Sequence, residues 1–260
     1  MEWLNDTLSL QVVVFSLVLA RISGLMLVAP VLGSREIPMR VRALLAMALA
    51  LVLAPAQFNT GLAMPNSVVG LGFLLAAEGM LGLVLGMGVS MLFSGIQMAG
   101  QLIAQVSGLA LADVFNPTLG STVPLFSELL HHCVLATFLL LGGHREVMAA
   151  LLDTFGAIPP GSAMIVGGMD SLLVQLLHES LSLGMRAAAP TVTAQLLATV
   201  MLGLVSRTLP QLNILALGFG VNSLVTFGTL ALSLGGIAWA FQERLNPVLS
   251  SVLDTLLAMR

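Results

Sequence analysis

The sequence predicts an all-α membrane protein built from irregular, kinked helical hairpins, and three observations carry that prediction. First, charge is absent over long runs: Thr208 to Gln242 and Ala43 to Ala77 each run 35 residues without a charged side chain, and Gly79 to Ala112 runs 34. Second, only 8% of the 260 residues are charged and 58% are hydrophobic, whereas soluble domains carry about 25% charged residues. Third, the apolar runs are interrupted by Pro, Gly, Asn and single Arg or Glu residues at depths where a lipid-facing span carries none. That last feature favours a subunit of a membrane-embedded conduit over a simple anchor.

Crossing a ~30 Å hydrocarbon core takes about 20 apolar residues as a helix. A first helix is predicted from Leu8 to Val28, with Arg21 inside it. Ala29-Pro30 ends it, and Gly33 to Pro38 forms a turn. The second helix starts near Met39 and stops at Ala54-Pro55. Gln57 to Ser67, with Asn59, Gly61, Pro65 and Asn66, reads as a polar loop. A third helix runs from Val68 to Ser107. At 1.5 Å per residue it would reach about 60 Å, twice the hydrocarbon thickness, so it either kinks near Gly95 or Gly100 or rises out of the membrane. Gly108 to Pro124 is the least regular stretch, because Asp113, Asn116-Pro117, Gly120 and Pro124 oppose a continuous helix. A fourth helix spans Phe126 to Gly142, Gly143 to Arg145 reads as a turn, and Asp153 to Asp170 holds a loop around Pro159-Pro160-Gly161. The fifth helix covers Ser171 to Val205 with Arg186 and Pro190. Pro210 and Gly218 break the next stretch. A last apolar helix covers Val221 to Gln242, and Arg244 to Arg260 forms an amphipathic tail.

Composition narrows the function further. The net charge of −3 is small and dispersed, so nucleic acid is not an expected partner. All nine basic residues are Arg. The lone Cys133 excludes an internal disulfide. Met1 to Asp6 has no basic region and no small-residue cleavage site before the apolar run, so no removable signal is read. Arg35, Arg40 and Arg42 around one turn place that turn in the cytoplasm by the positive-inside rule. Tyr is absent and only Trp3 and Trp239 could mark a membrane interface, which leaves two readings open: a protein enclosed by partners, or one whose Phe residues face membrane lipid.

Candidate functional residues fall into three groups. Glu78, Gly82, Gly86, Ser90 and Ser94 recur at spacing four on the third helix and so share a face. Gly82, Gly86, Ser90 and Ser94 are small enough to form a helix-packing seam. Arg21, Glu78 and Arg207 lie within or at the ends of apolar stretches. A charge at mid-bilayer costs roughly 2.5 to 3.5 kcal/mol, so burial with a partner is expected, although snorkelling fits Arg207 equally. Gln211 and Asn213 could satisfy broken backbone near Pro210. The third group is an apolar, irregular loop at residues 106–123 with Gly108, Asp113, Phe115, Asn116, Pro117 and Gly120. Non-helical backbone at membrane depth needs protein or a water-filled cavity around it, so this loop reads as a plug projecting into a pore.

Signs of chemistry are weak. Glu128-x-x-His131 is half of a di-iron helix motif and has no second copy. His131-His132, His144 and His178 lack metal-ligand spacing. No Gly-rich Lys-Ser/Thr phosphate loop occurs, and Gly218-Phe-Gly220 lacks a third glycine. The chain is therefore read as no enzyme, with no catalytic residue, cofactor or metal. The rival readings are a secondary transporter for a small solute, disfavoured by the lack of an internal repeat, and an intramembrane enzyme.

Two stretches carry a family resemblance: Arg21-Ile-Ser-Gly-Leu-Met-Leu-Val-Ala-Pro30 followed by Pro38-Met-Arg-Val-Arg42, and Ser206-Arg207-Thr-Leu-Pro210-Gln211-Leu-Asn213 followed by Leu217-Gly218-Phe. With Glu78-Gly-Met-Leu-Gly82-x-x-x-Gly86 and the Asn116-Pro117 loop, the chain resembles the FliR/SctT family of type III secretion export-gate subunits. The resemblance implies a one-copy subunit assembled with FliP-like and FliQ-like chains, beside FlhB and FlhA. The gate would conduct unfolded flagellar proteins across the bacterial inner membrane at the flagellar basal body. It also implies a FliP-like part over residues 1–169, a FliQ-like hairpin and tail over 170–260, and a plug loop at 106–123.

Overall fold

The computed structural model describes residues 2–31, 33, 37–58, 67–108, 124–162, 169–208 and 214–258. Among them it contains seven α-helices: α1 (Glu2–Val28), α2 (Met39–Leu53), α3 (Val68–Ser107), α4 (Leu125–Leu140), α5 (Gly143–Ala157), α6 (Met169–Thr208) and α7 (Ile214–Ala258). A short 3-10 turn, Ala54–Gln57, follows α2. Five helices are long and apolar enough to cross a membrane, or six spans if the bent pair α4 and α5 counts as one.

Helix ends follow local chemistry. Pro38 and Pro124 stand immediately before α2 and α4, where a missing N–H costs nothing. Gly142 adopts φ +78 between α4 and α5, the left-handed region glycine enters freely, and the two helices bend by 66° there. Pro190 lies inside α6 and Pro247 inside α7 without ending either helix.

Two sequence expectations are corrected. The segment beginning at Gly143 is a helix, not a turn leading to a loop. Its buried Val147, Ala150, Leu151, Thr154 and Phe155 recur at helical spacing on one face, and the charges at Arg145, Glu146 and Asp153 occupy the other positions. Gly218 does not break α7, which begins before it and continues to Ala258 in place of a separate tail. α3 runs unbroken through Gly95 and Gly100.

The described residues pack as two compact units. One comprises 1–91, 142–176 and 245–260; the other comprises 92–141 and 177–244. α3, α6 and α7 therefore each contribute to both. In the first unit the core includes the fully buried Val14, Leu17, Ile22, Leu25, Leu85 and Val89. α2 contributes Ala46 and Ala50 to burial but exposes Met39, Leu44, Leu51 and Val52, a face that needs lipid or a neighbour to cover it. In the second unit Phe93 packs edge-on against His131, Phe138 and Phe241, at centroid distances of 5.5, 5.6 and 4.9 Å. α6 and α7 run antiparallel: Glu179 pairs with Arg244, and Thr226 Oγ1 donates to Gln195 Oε1 at 3.2 Å, so one chain advances as the other retreats.

Candidate functional site

Among the described residues, the buried ion pair of the first unit is the most heavily bonded polar cluster. Arg21 of α1 and Glu78 of α3 are both fully buried, with Nε donating to Oε2 at 2.6 Å. Arg21 Nη1 donates to Thr154 Oγ1 at 3.3 Å and Nη2 to the Ile158 carbonyl at 2.9 Å. The Gly161 N–H donates to Glu78 Oε1 at 2.8 Å. The guanidinium lies 4.4 Å from the Phe155 ring centre, a cation–π contact. All three guanidinium nitrogens and both carboxylate oxygens are therefore used. A buried pair needs this saturation, because desolvation costs several kcal/mol per ion unless hydrogen bonds replace water. Chemically the arrangement is a clasp. It binds α1 and α3 to the end of α5 and to the Pro159-Pro160-Gly161 turn, whose Gly161 sits at φ +85.

The clasp depends on close backbone approach. A Cβ added to Gly82 would fall 1.8 Å from the Arg21 carbonyl oxygen, and one on Gly24 would fall 2.1 Å from that of Gly79. At Gly86 it would lie 3.0 Å from the Leu25 oxygen. Ser90 Oγ donates to the Val28 carbonyl. Positions 82, 86 and 90 thus meet 21, 25 and 28 in ascending order, so the two helices pack in parallel along a small-residue seam. Ser94 does not belong to this seam: it is exposed, because the helix has turned a different face toward its neighbours there.

In the second unit the close approach passes to glycines that the sequence reading took as kink points. A Cβ on Gly95 would fall 2.3 Å from the Ser180 oxygen, and one on Gly184 would fall 2.6 Å from the Gly95 oxygen. One on Gly100 would fall 2.4 Å from Ser127 Cα, and Ser127 Oγ donates to the Gln97 carbonyl at 2.8 Å. Gly95 stands beside Ser94 and Gly100 between Ala99 and Gln101, but Gly184 lies between Leu183 and Met185, so no shared local pattern announced the three contacts.

The remaining predicted residues stand as follows. Gly108 takes φ +73 directly after α3, the left-handed conformation that commonly terminates a helix. Asp113, Phe115, Asn116, Pro117 and Gly120 lie outside the described residues, as do Gln211 and Asn213. Arg207 is exposed in the last turn of α6 rather than buried within the chain; a cation is favoured at that helix end by the macrodipole. Of the half di-iron motif, Glu128 is exposed and His131 Nδ1 lies 3.2 Å from Gln97 Nε2. Among the described residues no three His, Cys, Asp or Glu side chains gather as a metal site.

Comparison with known proteins adds to this geometry. The sequence model of the family described as bacterial export proteins, family 1, matches residues 12–248. The flagellar biosynthetic protein FliR of Caulobacter vibrioides is 30% identical over 92% of this chain and 95% of its own length. FliR of Escherichia coli is 28% identical over 82% of this chain and 81% of its own. A secretion system apparatus protein of Salmonella typhimurium, SsaT, is 25% identical over 62% of each chain. The matched region takes in both halves of the clasp and the helices on either side of residues 109–123.

Proposed function

We propose, since this chain belongs to the family of bacterial export proteins, family 1, together with the flagellar FliR proteins, that it works by geometry alone as a lining subunit of the gate. It is a type III secretion export-gate subunit and a membrane component of flagellar biosynthesis. Its cargo is unfolded flagellar protein. Its neighbours are FliP-like and FliQ-like chains, with FlhB and FlhA beside them, in the bacterial inner membrane. Residues 1–169 form the FliP-like part and 170–260 the FliQ-like hairpin and tail. The antiparallel pairing of α6 with α7 supports the hairpin.

The observation that carries the mechanism is the junction of the two helices that residues 109–123 connect in sequence. α3 and α4 approach to backbone contact at Gly100 and Ser127. Residues 109–123 connect α3 to α4 in sequence, and a left-handed Gly108 follows the end of α3. A loop on so closely clamped a stem can project and be pushed aside by cargo without disturbing the helices that hold it. Residues 106–123 are the plug in this reading. The names of the relatives favour export over the transport of a small solute.

The test has two parts. Expression of this chain in a flagellated bacterium lacking its own FliR should restore motility and secretion of flagellar proteins, and the chain should co-purify with FliP-like and FliQ-like subunits. Failure of both ends the gate reading. Deleting 106–123 should raise ion leakage through the assembled gate; unchanged leakage removes the plug.

A further inference from the structure

The far half of α3 differs from the apolar faces around it. Between residues 81 and 107 the helix exposes only Ser94, Gln101 and Gln105. Its near end exposes Val68, Val69 and Phe73, and α2 exposes Met39, Leu44, Leu51 and Val52. At 3.6 residues per turn, Ser94, Gln101 and Gln105 fall within about 40° of one another around the helix. Gly95, which meets Ser180 of α6, and Gly100, which meets Ser127 of α4, lie on either side of this line. The three polar residues therefore look outward between the two flanking helices, with Gln97 and Met98 half-buried at the edges.

The chemistry of the line decides what can cover it. A face that meets lipid, or forms the centre of a helix–helix contact, carries apolar side chains, as α2 does. This one carries a hydroxyl and two carboxamides. Among the described residues neither the Gln101 nor the Gln105 amide is engaged in a hydrogen bond. Charge is absent as well, since no Asp, Glu, Lys or Arg occurs from Gly79 to Ala112. Such a surface is wetted by water without attracting either sign of charge. A carboxamide both donates and accepts. The group that matches it in every sequence is the peptide unit, with one C=O and, proline apart, one N–H per residue. Ser94 to Gln105 spans about 17 Å along the helix axis, the length of about five residues of extended chain.

We propose that this face of α3 borders the water-filled path of the gate, and that Gln101 and Gln105 hydrogen-bond the backbone of the unfolded polypeptide passing along it. The contact is blind to cargo sequence because it reads peptide groups alone. Each bond exchanges with water at little net cost, so the moving chain is held without being trapped. Met98 beside the line is unbranched and adapts to whatever side chain passes. This inference rests on the gate reading.

The test uses the full chain in its assembled membrane complex, in a flagellated bacterium lacking its own FliR. The cargo is a flagellar protein fused to a domain that resists unfolding, so that it stalls in transit. A benzophenone amino acid replaces Gln101, Gln105 or, as a control, Leu232 of α7, which is 88% exposed. Illumination should join cargo to positions 101 and 105 and not to 232. Cross-links from 101 and 105 to neighbouring subunits alone, or cargo yields no higher than at 232, overturn the proposal. The paired substitution Gln101→Leu, Gln105→Leu should leave accumulation normal and lower secretion about fivefold, the loss of two weak hydrogen bonds. The corresponding Asn pair keeps both carboxamides and should secrete near the parent level. Parental secretion by the Leu pair would also overturn the proposal. If the unsubstituted chain supports no secretion at all, the gate reading fails and this inference with it; normal secretion without cargo cross-links removes this inference alone.

Discussion

The α1–α3 seam and the α7 strand of the hairpin are both rich in small residues, yet they use them in opposite ways. On the seam, Gly24, Gly82 and Gly86 face the backbone of the other helix so closely that a methyl group at Gly82 would overlap a carbonyl oxygen at 1.8 Å. On the hairpin, a Cβ at Gly220, Gly228, Gly235 or Gly236 would meet nothing within 4 Å. Polar groups divide likewise. Each guanidinium nitrogen and each carboxylate oxygen of the clasp has a hydrogen-bond partner, whereas Thr191 Oγ1, Gln195 Nε2 and Asn222 Oδ1 are buried without a partner among the described residues. Small residues therefore mark contact only when a neighbour within the chain occupies the space they leave. The seam is a finished frame, and the hairpin is a surface and interior left open to what lies outside the chain.

The largest expected effect tests the frame. Gly82→Leu forces apart two backbones that cannot yield, at a cost of about 4 kcal/mol or more, and should abolish accumulation of the chain in membranes. Normal accumulation on an immunoblot would mean the seam is looser than the comparison requires. Next, Glu78→Gln leaves the Arg21 charge buried and uncompensated, a loss of about 3–5 kcal/mol in thermal unfolding of the detergent-solubilised chain. The double variant Arg21→Met, Glu78→Met removes both charges at similar volume and should recover most of that loss. A double variant as unstable as the single one would show that the backbone contacts to Ile158 and Gly161, rather than the uncompensated charge, dominate.

The hairpin predicts the opposite sign. Gln195→Leu deletes an unpartnered amide nitrogen, and Thr226 keeps its bond to the Asn222 carbonyl at 2.8 Å. The variant should unfold about 1 kcal/mol later than the parent; a clear loss of stability would mean the amide is satisfied. Smallest of all, Gly228→Ala fills open space in a helix and should stabilise the chain by about 0.5–1 kcal/mol. Destabilisation of the isolated chain there would erase the distinction between the two regions.

Much of this was legible in residues alone. The boundaries of α3 coincide with the apolar run from Val68 to Ser107, since length and hydropathy select a helix in the absence of water. The exposed Arg207 and the fate of α5 were less legible. Snorkelling and burial look alike in a sequence, and the charges at 145, 146 and 153 masked a helix whose buried face reads correctly only at a period of 3.6.

What sequence determined without help is therefore the solvent, the helices and the kinship: charge-free runs admit only a bilayer or a partner as surroundings, and ordered blocks around Arg21, Glu78 and Arg207 identify the family. What only the tertiary structure decided is who meets whom. Arg21 finds Glu78 across 57 positions, the clasp reaches the carbonyl of Ile158 and the amide of Gly161, and the close approach passes from Ser90 to Gly95 instead of Ser94. The physical reason is that periodicity fixes which face a residue occupies on its own helix, while the partner of that face depends on the crossing of backbones, and backbone groups are the same in every residue.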